Sequence, residues 1–114
     1  MGTQPRLTWA TLKVFRVLLH DPAGRHYGLE IGKAAGLPSG SIYPLLMRLE
    51  QAGWLTSEWE SVNPKVAGRP RRRLYQLTGE GAEVGRRALE EAQRDLAPDI
   101  GRTPGFPLPG GASA

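Results

Sequence analysis

Cysteine is absent from the 114 residues. That removes disulfides, thiol nucleophiles and thiolate metal sites at once. Histidine occurs only at His20 and His26. Neither stands in nucleophile or metal-ligand spacing, and no Gly-rich phosphate loop is present, so neither an enzyme nor a cofactor is expected. No apolar run approaches a membrane span, and the N-terminus lacks the apolar stretch of a signal peptide. A soluble cytoplasmic protein without a membrane partner is the expectation. One absence is local: no acid lies between Ser61 and Gly79.

Positive charge is present and unevenly placed. The net charge is +4; residues 1–78 hold 11 Lys and Arg against 5 acids, and residues 79–114 hold 4 against 6. The basic two thirds suit a polyanionic partner, and the acidic remainder a different task.

The stretch Ser39 to Gly53 organises the chain. As a helix it aligns Ile42, Leu45, Leu46, Leu49 and Ala52 on one buried stripe. Pro44 fits a first turn, so Ser39 or Ser41 is the expected cap, and Gly53 the stop. The opposite face carries Ser41, Tyr43, Met47, Arg48 and Gln51. Short donors, a tyrosine and a cation gathered toward the N-terminal half are what a DNA-reading helix needs. An ordinary amphipathic helix would show the same buried stripe, so the rest of the chain has to decide.

Residues 1–6 read as a short loose arm. Leu7 to His20 reads as a helix whose apolar arc, about 200° wide, exceeds what one neighbour needs. Trp9 falls outside that arc. Asp21 to Gly24 is a turn, and Tyr27 to Ala35 a short helix stopped at Gly36. Two helices joined through Gly36-Leu37-Pro38 make a helix-turn-helix pattern. Trp54 to Val62 alternates as a strand with Leu55, Ser57, Trp59 and Ser61 on one face; Arg71 to Thr78 alternates again. Asn63 to Pro70 is a loop at the tip of this hairpin. Lys65, Arg69, Arg71, Arg72 and Arg73 give the hairpin charge of one sign, which favours phosphate contact over a solvated face.

Thr78 can cap a last helix through about Ala97. Ala82, Gly85, Leu89, Ala92 and Leu96 are spaced as a heptad seam of mostly small residues. The seam is expected to pair subunits, docking also on the spare face of the first helix; packing within its own domain is the alternative. Residues 98–114 read as a Pro/Gly-rich flexible tail.

The element order implies a mainly α chain with a small β-hairpin: a winged helix-turn-helix over residues 7–78 and a dimerisation helix over 79–97. Ser41-Ile42-Tyr43-Pro44-Leu45-Leu46-Met47-Arg48-Leu49-Glu50-Gln51-Ala52-Gly53-Trp54-Leu55 resembles the reading-helix signature of PadR-like transcriptional regulators. Tyr27-Gly28-Leu29-Glu30 resembles the start of that family's second helix. Gly68-Arg69-Pro70-Arg71-Arg72-Arg73-Leu74-Tyr75-Gln76-Leu77-Thr78 resembles its wing. The match spans about residues 9–90. The resemblance implies a homodimer on an inverted-repeat operator, usually a repressor, often released by a small hydrophobic effector. It carries DNA contact to Ser41, Tyr43, Pro44 and Arg48 and to Arg69 through Arg73. Position adds Ser39 at the helix start and Lys65 in the wing. A protein-interaction or architectural DNA-binding module without an effector is the alternative, and the all-positive hairpin argues against the first of these.

Overall fold

A computed structural model describes residues 7–102, with side chains through residue 95. The arm 1–6 and residues 103–114 lie outside the described residues. Helix α1 (Trp9–Leu19) begins at Thr8, whose hydroxyl accepts the Thr11 N–H at 3.2 Å. Its apolar arc is filled by Val14, Phe15 and Leu18, each at most 1% exposed. Trp9 stands out at 61% exposed.

The next element was not expected from the sequence. His26–Tyr27 forms a two-residue strand, β1, paired antiparallel with Tyr75 and Leu74. Two residues carry no readable alternation, so only the pairing partner reveals it. Tyr27 then starts helix α2 (Gly28–Ala35), and the Glu30 carboxylate accepts the Tyr27 N–H at 3.2 Å. Gly36 ends the helix with φ +72°. Leu37 N–H returns to the Gly32 carbonyl at 2.8 Å, as a left-handed stop with an apolar follower requires.

Helix α3 (Ser39–Gln51) buries Ile42, Leu45, Leu46 and Leu49 as the spacing predicts. Its start differs. The cap is Pro38, whose carbonyl accepts the Ser41 and Ile42 N–H groups at 2.9 Å each, and no side chain caps the helix. Ser39 and Ser41 lie inside the first turn, and Pro44 lies one turn further in than expected. The bond Pro44 forgoes belongs to the Gly40 carbonyl; both residues are on the exposed face, where solvent can serve that carbonyl.

Strand β2 (Leu55–Trp59) leads to the hairpin tip, and β3 (Arg73–Leu77) returns. The sheet is three-stranded and antiparallel in the order β1-β3-β2. The tip is not the plain loop expected: Pro64–Ala67 forms one helical turn, α4, because Asn63 accepts the Lys65 N–H at 3.0 Å and Gly68 closes it at φ +73°. Helix α5 runs Gly79–Arg102, five residues beyond Ala97 and through Pro98. The expected tail boundary therefore moves inside a helix.

The core joins α1, α2, α3, the sheet and α5. Phe15 and Trp54 meet with ring centroids 5.8 Å apart, and Ile31, Ile42, Leu46, Leu49 and Leu55 complete the interior. Two of the five residues of the expected dimer seam are spent here. Ala82 is buried, and a Cβ at Gly85 would stand 2.6 Å from the Phe15 ring. Gly85 faces α1 of the same chain, where a backbone this close needs a residue without a side chain, and Ala82 belongs to the same core. Leu89 is partly packed on the same core and Ala92 is half-buried. The Leu96 side chain lies outside the described residues.

Candidate nucleic-acid interface

The outer face of α3 presents Ser39, Ser41, Tyr43, Pro44, Met47, Arg48 and Gln51, all exposed. Tyr43 leans on the first residue of α2, where a Cβ at Gly28 would come within 2.7 Å of Tyr43 Cε1. Glycine thus seats the ring beside the helix-turn-helix. The Arg48 side chain has neither an ion pair nor a hydrogen bond among the described residues.

The five wing cations divide into two kinds. Arg69 is committed: its guanidinium pairs with Glu60, a residue only 6% exposed. Arg73 is committed too. Its Nε donates to Ser57 Oγ at 2.8 Å and its guanidinium lies 4.9 Å over the Trp59 ring. Ser57 Oγ in turn donates to Glu50 of α3 at 2.7 Å, so Arg73 is tied to the reading helix. The other three are presented outward. Lys65 is exposed with its side chain unpaired among the described residues. Arg71 rests Nε on the Val62 carbonyl at 2.9 Å and Arg72 covers the Tyr27 ring at 5.5 Å, and neither faces an acid. A guanidinium held by a neutral partner keeps its charge available to a phosphate.

Sequence reasoning missed Glu60. Alternation put Trp59 on the face of Leu55 and Glu60 on the opposite face; Leu55 is buried, yet Trp59 is 58% exposed and Glu60 is buried. Strand β2 ends at Trp59, so the alternation no longer governs Glu60. The Tyr27 hydroxyl donates to its carboxylate at 2.7 Å and the Arg72 N–H at 3.0 Å. Arg69 first, then Tyr27, hold the carboxyl down to about 2. Its stabilising contribution is therefore complete above the ordinary value of 4.5 and is lost as pH falls toward about 2. The available signal was that Glu60 is the last acid before the acid-free stretch that carries the wing cations.

Between the start of α2, Tyr43 and the wing lies a cleft of about 620 Å³ lined by Tyr27, Leu29, Lys33, Tyr43, Trp59 and Arg72, among others. Tyr43 of the reading face and Arg71 and Arg72 of the wing border the same opening.

The family model for PadR-like transcriptional regulators matches residues 18–91. The chain belongs to the PadR-like family. It is a DNA-binding transcriptional regulator and not an enzyme. A PadR-like transcription factor from Bacteroides fragilis is 27% identical, with TM-score 0.59 over 81% of this chain and 89% of that one. A PadR family regulator from Clostridium difficile R20291 is 23% identical, with TM-score 0.61 over 82% and 99%. NadR in complex with 4-hydroxyphenylacetate is 23% identical at TM-score 0.62 over 81% of this chain, which spans only 60% of NadR. Comparison with curated proteins gives no match. Among the described residues of this PadR-like chain, no helix is long and apolar enough to cross a membrane.

Proposed function

We propose that this PadR-like regulator is a cytoplasmic homodimeric repressor that reads an inverted-repeat operator with α3 and grips the backbone with its wing. The observation that carries this reading is the pairing of an exposed α3 face, with Arg48 free among the described residues, and three uncommitted wing cations. Ser39, Ser41, Tyr43, Pro44 and Arg48 face the major groove; Lys65, Arg71 and Arg72 face phosphates. Arg69 and Arg73 serve as struts, since Glu60 holds Arg69 while Ser57 and the Trp59 ring hold Arg73.

The second copy would cover apolar surface at two places. Leu7 and Trp9 are exposed at the start of α1, and α5 carries Leu89 and Ala92 before running on to Arg102. Two-fold pairing through α5 sets two half-sites about one helical turn apart. A small effector entering the cleft beside Tyr43 would occupy space the DNA needs, which accounts for release. The size of the cleft, about 620 Å³, suits a small molecule.

Selection of bound fragments from random duplex DNA tests the reading. A defined inverted repeat is expected. Against it, Tyr43→Phe or Arg48→Ala should cost about 1–3 kcal/mol and relax preference at one position of each half-site. Equal loss on operator and unrelated duplex would remove both side chains from base reading.

A further inference from the structure

Glu60 is an acid buried inside a basic wing. Burial of a carboxylate is unfavourable unless it is paired and hydrogen-bonded, and an apolar side chain of similar size is often at least as stabilising. Its presence therefore asks for a role beyond filling space. The donors around it come from separate parts of the chain. Arg69, beyond the tip, donates to both carboxylate oxygens, with Nη2 3.4 Å from Oε2. The Arg72 N–H, just before β3, donates to Oε1 at 3.0 Å. The Tyr27 hydroxyl, from β1 at the head of α2, donates to Oε2 at 2.7 Å. Glu60 itself directly follows the outgoing strand, and its own N–H meets the Arg72 carbonyl at 2.8 Å. One carboxylate thus closes the wing tip on itself and fastens its root to the helix-turn-helix.

We propose that Glu60 is the positioning residue of the wing: by gathering Arg69, the Tyr27 hydroxyl and the Arg72 backbone, it sets the direction in which Lys65, Arg71 and Arg72 reach DNA phosphates. This rests on the phosphate-gripping role of the wing. Arg69 belongs to the same device. Its charge is spent on Glu60, and its function is to hold the tip rather than to meet DNA.

The role has a sign that separates it from simple charge. An acid close to DNA that acted only by repulsion would, once neutralised, tighten binding and steepen its salt dependence. A positioning acid does the reverse, because its loss lets the outward cations wander. The experiment is Glu60→Gln in the full chain, with binding to the operator and to an unrelated duplex followed over a salt series by fluorescence anisotropy. Loss of a charge-assisted hydrogen-bond set predicts about tenfold weaker binding to both duplexes. It also predicts a shallower salt slope, with helical content unchanged. The double variant Glu60→Gln, Arg69→Gln, which restores a neutral hydrogen-bonding pair, should recover most of the affinity. Tyr27→Phe should weaken binding in the same direction by less. Tighter binding with a steeper slope would overturn the proposal, and so would binding unchanged in Glu60→Gln. If Arg71→Ala with Arg72→Ala leaves the slope untouched, the wing does not grip phosphates and the proposal falls with that reading. A normal slope loss there beside an unaffected Glu60→Gln removes the proposal alone.

Discussion

Gly81→Ala should destabilise the fold by about 3 kcal/mol, near the upper end of what overpacking costs. The first turn of α5 lies directly on the chain that leaves α3. A Cβ at Gly81 would stand 2.0 Å from the Trp54 carbonyl oxygen and 2.9 Å from Trp54 Cα, so backbone rather than a pliable side chain must give way. The same turn carries linked bonds that the shift would break. Thr78 Oγ1 accepts the Gly81 N–H at 2.9 Å and donates to the Gly53 carbonyl at 2.7 Å, while the Thr78 N–H meets the Trp54 carbonyl at 3.1 Å. The cap alone is worth about 1 kcal/mol. A fall in melting temperature of about 10–20 °C is expected for a domain of this size. Gly79→Ala is the control: no atom lies within 4 Å of a Cβ placed there, and its melting temperature should stay near wild type.

Ala92→Glu is expected to split the proposed dimer and lower operator affinity by about 100-fold or more, since two linked half-sites gain affinity of that order. Ala92 is half-buried beyond the cluster on which Leu89 packs, so a change there spares the chain's own core. A carboxylate there cannot be buried against a second copy cheaply. Sedimentation velocity and circular dichroism should show a monomer with unchanged helical content. A variant that remains dimeric would leave α5 without an interface role at this position.

The parts legible in the sequence are those governed by local pattern. Ile42, Leu45, Leu46 and Leu49 follow a helical period on one face and are all buried. Tyr75 and Leu77 follow a strand period and are buried as well. Gly36 sits where a left-handed stop is needed. The family match over residues 18–91 agrees with the motifs around Tyr27, Tyr43 and Arg72. What stayed hidden depends on partners distant in the chain. Strand β1 is two residues long and exists through β3. Glu60 and Trp59 exchange sides because Arg69, Tyr27 and Arg73 supply donors or cover that no local rule contains. A run of five cations looks uniform in one dimension, and only the fold divides it into struts and free charges. The seam of small residues was visible, but Gly85 faces Phe15 of its own chain, because spacing does not name the partner.

The salt dependence of operator binding in the Arg71→Ala, Arg72→Ala double variant tests the central claim most directly. Both guanidinium groups lack an acid partner among the described residues and border the reading face, so they should release counterions from DNA. The log–log slope should become shallower by about one or two units, with operator and unrelated duplex weakened alike. A slope equal to wild type would contradict the account, because the wing would then not be the surface that holds DNA.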